Sequence, residues 1–238
     1  MQDAPTTPLT SEAAASRRIP WPVAALGLLA ALLTLVLWFG HELMEGDGAR
    51  IDRAIMLAMR VPGHPEQPAG PVWLPSVVRD VTSLGSTTVL TLVVAIVAIF
   101  LALHRHRRGA LLVVAATGLG ALLVTIVKLL VARSRPDIFT ALMVETSHSF
   151  PSGHAANSAI VYLTLATLLF PVIGERRLRA FIFGVAILLV AMIGVSRVYL
   201  GVHWPSDVLA GWAFGAAWAM LWWRVELKVF GKAPALRP

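Results

Sequence analysis

The sequence predicts an all-α polytopic membrane bundle of about six transmembrane helices, with a first extracytoplasmic loop that carries short amphipathic helices. Three observations predict it. Hydrophobic residues make up 57% of the 238 and charged residues only 14%. Apolar stretches recur that approach ~20 residues, the length that crosses a hydrocarbon core of ~30 Å. The net charge of +7 comes mainly from basic residues in short connectors between those stretches, a placement that belongs to membrane topology and not to nucleic-acid binding. There is no cysteine, which excludes disulfides and thiolate metal sites.

Six spans follow in order, at roughly 22–43, 86–103, 109–131, 154–173, 180–197 and 206–225. The exit of the first, from Trp38 to Leu43, lacks the small-residue cleavage site of a signal peptide, so this span is expected to be retained. The connector after it, about 44–85, holds two amphipathic stretches, Ala49–Arg60 and Val72–Thr82. Pro62, Gly63, Pro65, Pro68, Gly70 and Pro71 separate them. Each is too short and too charged to span and reads as interfacial. Residues 1–20 and 231–238 read as cytoplasmic tails on a single transmembrane domain, 21–230.

Orientation follows from the basic residues of short segments, which mark the cytoplasmic side. Arg17 and Arg18, then Arg105, Arg107 and Arg108, then Arg176, Arg177 and Arg179, then Arg224, Lys228, Lys232 and Arg237 all fall on one side if six spans are crossed. The expected protein is a multi-pass protein of the cell (inner) membrane with both termini cytoplasmic. The first loop is richer in acids (Glu42, Glu45, Asp47, Asp52, Glu66, Asp80) than in bases (Arg50, Arg53, Arg60, Arg79) and falls outside. Trp222 and Trp223 suit an aromatic belt at the inner interface.

The remaining polar residues gather at one end. Lys128, Arg133, Arg135 and Asp137 close the third span, and Pro151-Ser152-Gly153-His154 opens the fourth. Ser196 and Arg197 close the fifth, and His203 and Asp207 open the sixth. With the spans as placed, all four groups lie at the extracytoplasmic end. Ionisable residues at membrane depth are costly and mark function. Lys128 and Arg135 are about two turns apart and share a face if the helix persists. With Arg197 they form a cation cluster that repels itself unless an anion sits in it. Phosphate suits such a cluster. Ser152, Gly153 and His154 at a helix start offer free backbone N–H groups and the positive dipole end, and Gly153 lets the backbone approach closely.

His203 and Asp207 stand at i and i+4, with Pro205 between them. A carboxylate on one ring nitrogen fixes the tautomer and leaves the other nitrogen free to attack phosphorus. His154, beside the cradle, can protonate the leaving oxygen and then deprotonate water. Arg133 lies off the Lys128–Arg135 face and reads as a lipid-headgroup contact. Glu145 and His148 stand in the loop before the cradle, where a role at the site mouth is open. His104 and His106 read as a solvated cytoplasmic loop. Gly211 and Gly215, in a G-x3-G pattern, suit close packing of the sixth span.

Other chemistries fit less of this pattern. A metal held by His154, His203 and Asp207 is opposed by three nearby cations. A Ser152 nucleophile lacks the G-x-S-x-G elbow and leaves Lys128, Arg135 and Arg197 without a role. A transporter would place its charges near the midplane, on repeated broken helices.

As motifs, Lys128 through Pro136 reads K-x6-R-P, Pro151 through His154 reads P-S-G-H, and Ser196 through Asp207 reads S-R-x5-H-x3-D. The three together, in this order, resemble the type 2 phosphatidic acid phosphatase (PAP2) family in its membrane lipid phosphatase branch. The resemblance runs from the second span to the sixth. It implies a phosphohistidine on His203, with His154 as general acid and Asp207 orienting the nucleophile. It also implies that Lys128, Arg135, Ser152, Gly153 and Arg197 hold the phosphate, with no metal and no cofactor. The partners it implies are membrane lipids and a phosphorylated lipid substrate, of the phosphatidylglycerol phosphate, undecaprenyl pyrophosphate, phosphatidic acid or lipid A type. No motif in the chain selects among these headgroups or fixes an oligomeric state.

Overall fold

The helices are set by their ends as much as by their apolar runs. The computed structural model describes residues 47–170 and 173–230, besides the isolated positions 27 and 34. Among the described residues the order is α1 (Asp47–Ala58), β1 (Arg60–Val61), β2 (His64–Pro68), α2 (Leu74–Ser83), α3 (Thr87–Leu103), α4 (Arg107–Val131), α5 (Gly153–Leu168), α6 (Arg176–Tyr199) and α7 (Pro205–Phe230). Ser86 caps α3, its Oγ accepting from the Val89 N–H at 3.3 Å. Ala132 stops α4 in the left-handed region, with φ 49°, and its N–H returns to the Lys128 carbonyl at 3.1 Å. Pro205 stands first in α7, where its missing N–H costs no helical bond.

Helices α3 to α7 fall on the spans expected at 86–103, 109–131, 154–173, 180–197 and 206–225. The expected span at 22–43 and the tails 1–20 and 231–238 lie outside the described residues. By length and composition α4 and α6 can each cross a membrane, and α2 with α3, bent by 43° at their junction, can do so together. The amphipathic stretches of the first loop form α1 and α2. The all-α expectation is corrected at one place. β1 and β2 pair antiparallel, with Arg60 opposite Pro68 and Val61 opposite His64. Pro62 and Gly63, with Gly63 at φ 78°, suit a type II turn, so the breakers that read as an irregular linker close a hairpin instead.

Helix α5 is the centre of the bundle. Ala156 and Ile160 pack with Val124 and Val127 of α4 and with Phe214 and Trp218 of α7. Ala159, Leu163 and Ala166 pack with Ala186 and Val190 of α6. A Cβ on Gly215 would lie 2.7 Å from the Ala156 carbonyl oxygen, and one on Gly211 would lie 2.9 Å from that of Ser152. The two glycines therefore let α7 approach the α5 backbone, as their spacing suggested. Outward, Leu92, Ile96, Ile99 and Phe100 of α3 and Phe181, Ile187 and Leu188 of α6 are exposed. An apolar surface on this scale is a lipid-facing one.

The ends of α4 and α6 and the starts of α5 and α7 meet at one pole, beneath the hairpin. Arg60 holds the hairpin down. Its Nη2 donates to the Tyr199 carbonyl at 2.9 Å and its guanidinium lies 3.8 Å from the Phe139 ring centroid. Gly201, at φ 78°, turns the chain out of α6 toward His203.

Candidate active site

The pole is built around a buried histidine and a buried carboxylate. Asp207, in the first turn of α7, is 0% exposed and His203 is 2% exposed. Asp207 Oδ2 accepts from the Trp204 N–H at 3.0 Å and from the Ser149 hydroxyl, and it lies 3.5 Å from His203 Nδ1. Its Oδ1 accepts from Arg133 Nη1 at 2.7 Å. With the carboxylate on Nδ1, the other ring nitrogen faces the cations: Nε2 is 3.5 Å from Arg135 Nη1. Burial pulls the His203 imidazole down to about 4, and the Asp207 carboxylate only partly opposes it. A neutral imidazole held this way turns its Nε2 lone pair toward Arg135 and the side where a phosphate would bind.

The three predicted cations gather at this pole, with Lys128 near enough to Arg135 and Arg197 to feel both charges. Arg135 is braced by the Ser147 and Val202 carbonyls at 2.7 and 2.6 Å, and Lys128 Nζ donates to the His148 carbonyl at 2.6 Å. Arg197 is wholly buried; Nη1 donates to Thr82 Oγ1 at 3.1 Å and Nη2 pairs with Glu145. Glu145 also lies 3.8 Å from Arg135. Burial pushes the Glu145 carboxyl up, but Arg197 and then Arg135 outweigh it and hold the group below its ordinary range.

Among the described residues, the buried polar atoms without a hydrogen-bond partner include two at this pole, Arg197 Nε and Ser152 Oγ. An unmet buried donor is costly, and both belong to groups expected to grip an oxyanion. Around Gly153 the space a Cβ would fill is open. The expected cradle needs one correction. The Ser152 N–H is not free, because it donates to the Asp207 carbonyl at 3.0 Å and so ties the start of α5 to that of α7. His154, one residue into α5, stands beside Gly85 and close enough to Arg197, Glu145, His203 and Lys128 to interact electrostatically.

All eight predicted site residues therefore lie at this pole, though not by the geometry expected. The α4 helix ends at Val131, so Lys128 and Arg135 share no helical face; the turn at Ala132 brings Arg135 round instead. His203 precedes α7, so its pairing with Asp207 is a cap-like contact across Pro205. Arg133 is a correction of a different kind. It is not a headgroup contact but is 6% exposed and bonded to Asp207, Asp52 and Ser206. The helical phase that put it off the site does not apply beyond Ala132. Asp52, Ser149 and Ser206 were also missed. Asp52 had one signal in the sequence, since it lies four residues before Met56 and so shares the apolar face of an amphipathic stretch.

A membrane-type helical bundle whose buried histidine–carboxylate pair faces a cluster of cations defines a phosphoric ester hydrolase. The family follows: the PAP2 superfamily profile matches residues 109–230, and the chain belongs to that superfamily. Phosphatidylglycerophosphatase B of Bacillus subtilis (strain 168) is 36% identical over 146 residues, which cover 60% of this chain and 70% of that protein. Lipid A 1-phosphatase of Rhizobium johnstonii is 38% identical over 109 residues, 42% of this chain and 41% of that protein. The crystal structure of a transmembrane PAP2-type phosphatidylglycerolphosphate phosphatase from Bacillus subtilis superposes with a TM-score of 0.73 at 28% identity, covering 84% of this chain and 96% of that one. The chain is a membrane lipid phosphatase.

Proposed function

We propose that this chain hydrolyses a phosphate monoester or pyrophosphate of a membrane lipid at an extracytoplasmic site, through a phosphohistidine on His203 and without a metal. The substrate is of the phosphatidylglycerol phosphate, undecaprenyl pyrophosphate or phosphatidic acid type. The two Bacillus subtilis relatives named for phosphatidylglycerol phosphate support the first of these, and an undecaprenyl-diphosphatase among the relatives supports the second. The carrying observation is the two-sided hold on His203, with Nδ1 facing Asp207 and Nε2 facing Arg135.

In the first step His203 Nε2 bonds to phosphorus as the bond from phosphorus to the lipid oxygen breaks. His154 supplies the proton that the leaving oxygen takes. In the second, His154 takes a proton from water, the water oxygen bonds to phosphorus, and the nitrogen–phosphorus bond breaks to release inorganic phosphate. Lys128, Arg135 and Arg197, with Ser152 Oγ and the N–H groups of Gly153 and His154, bind the oxygens on which charge is spread. A groove of about 230 Å³ between α3, α4 and α5, lined by Leu90, Val94, Val114 and Ile160 among others, supports a lipid substrate, because it gives a hydrocarbon chain a berth one turn from His154. The topology belonging to this reading is six crossings within residues 21–230, with both tails cytoplasmic.

The test is phosphate release by purified protein from a panel of phosphatidylglycerol phosphate, phosphatidic acid, undecaprenyl pyrophosphate and lipid A. His203→Ala is expected to abolish release from every substrate the parent accepts, and Asp207→Asn to lower it less. An alkaline quench of the parent, which spares nitrogen–phosphorus bonds, is expected to retain labelled phosphate on the chain. Equal and mild effects of the two substitutions, with no label retained, would overturn the nucleophile.

A further inference from the structure

Behind the histidine–carboxylate pair lies a second charged layer that the proposed chemistry does not touch. It joins three separate stretches of chain: Asp52 of α1, Arg133 just past α4, and Ser206 at the start of α7. The Arg133 guanidinium bridges two carboxylates, Asp207 at 2.7 Å and Asp52 at 3.0 Å. Ser206 closes the ring. Its N–H donates to Asp52 Oδ1 at 2.9 Å, its hydroxyl donates to Asp52 Oδ2, and it accepts from Arg133 Nη1 at 2.8 Å. The Trp204 ring covers the guanidinium at 5.5 Å. All four members are buried, none more than 6% exposed. Burying an isolated charge is expensive, and here each charge has a partner and hydrogen bonds besides.

We propose that Arg133 and Asp52 are positioning residues for the nucleophilic histidine, so that the extracytoplasmic helix α1 bears on catalysis through a single guanidinium. The inference rests on the reading of His203 as nucleophile. Arg133 holds Asp207 Oδ1, which fixes the plane of the carboxylate and aims Oδ2 at His203 Nδ1. Asp52 has the complementary task. An Arg133–Asp207 pair alone would be neutral and would do little for the imidazolium-like ring that forms when Nε2 bonds to phosphorus. With Asp52 sharing the guanidinium, Arg133 offsets less of the charge on Asp207, the carboxylate that lies against the ring. The stabilisation appears as the ring becomes cationic, so it belongs to turnover and not to substrate binding.

The test measures kcat and KM for lipid phosphate release by the full chain in detergent micelles. The variants are Arg133→Gln, Arg133→Lys, Asp52→Asn and the double variant Asp52→Asn/Arg133→Gln. Arg133→Gln is expected to lose about tenfold or more in kcat with KM nearly unchanged, on the scale of a misplaced catalytic group. Arg133→Lys should recover much of that loss, because it keeps the charge. Asp52→Asn should lose a smaller factor, also in kcat. The double variant should fall no further than Arg133→Gln, because the two act in one chain of contacts. If Arg133→Gln cannot be recovered folded, the kcat loss in Asp52→Asn carries the test. Parental kcat in Asp52→Asn or Arg133→Gln, a loss confined to KM, or additive losses would overturn the proposal. His203→Ala separates the two readings. If it still releases phosphate, the nucleophile reading fails and takes this inference with it. If it is inactive while Asp52→Asn and Arg133→Gln turn over like the parent, the positioning role alone fails.

Discussion

At the residue scale, the decisive group is an imidazole pulled in two directions. Burial favours neutral His203 and the Asp207 carboxylate favours its cation; burial wins, and the group sits at about 4 against an ordinary 6.5. The consequence for stability has a definite sign. Between about 4 and 6.5 the unfolded chain holds a proton on residue 203 that the folded chain does not. The stabilisation is therefore fully present above the unfolded value and is lost as pH falls through that window. Melting temperatures in detergent should fall as pH drops from 7 to 4, and the fall should be shallower in His203→Gln. Identical slopes for the two proteins would show that His203 is not held neutral. The gathering of the eight predicted positions at one pole was legible because motif spacing and span ends both pointed to it. Arg133 was not, because one left-handed residue, Ala132, resets the phase on which its placement depended. Glu145 was legible only as a neighbour of the cradle. Its pairing with Arg197 brings together loop and helix positions 52 residues apart, and no local pattern encodes that.

At the element scale, the helices were legible and their contacts only partly so. Helices α3 to α7, of 16 to 26 residues, announce themselves by their apolar stretches, whereas β1 spans two residues and gives no periodicity to read. The Gly211–Gly215 stripe was legible as a packing surface, and the structure supplies its partner, α5. That contact matters to the site because α5 carries Ser152 and His154 and α7 carries Asp207. A Cβ on Gly215 would lie 2.5 Å from Ala159 Cβ as well as 2.7 Å from the Ala156 carbonyl oxygen, and a backbone atom cannot swing aside. Gly215→Ala is therefore expected to separate the helices and to cost about 1–3 kcal/mol, the usual scale of overpacking. It should also lower phosphate release. Gly118→Ala is the matched control, since its Cβ would meet nothing within 4 Å and alanine is the better helix former. A drop in melting temperature confined to Gly215→Ala would confirm the close approach, and equal drops would argue against it.

At the scale of the whole molecule, the chain is polarised along one axis. The proposed site lies at the pole reached by the end of α4, while Arg107 and Arg108 sit at the opposite end of the same helix, with Arg105 just before it. With 25 residues at ~1.5 Å each, α4 exceeds a hydrocarbon core of ~30 Å, so the two ends belong to different compartments if α4 crosses. The positive-inside rule then puts the arginines in the cytoplasm and the site outside. The absence of native cysteine makes this directly measurable. Val144, 90% exposed in the loop before the site, and His106, exposed at the start of α4, can each be replaced by cysteine in turn. On intact cells a membrane-impermeant maleimide is expected to label Val144→Cys and to spare His106→Cys until the membrane is permeabilised. The reverse pattern would turn the site toward the cytosol and remove the outer-leaflet lipids from its reach. Labelling of both on intact cells would mean that α4 does not cross. In that case neither the compartment of the site nor the six-span topology could stand, while the His203 chemistry would be untouched, because it depends on contacts within the pole and not on which side the pole faces.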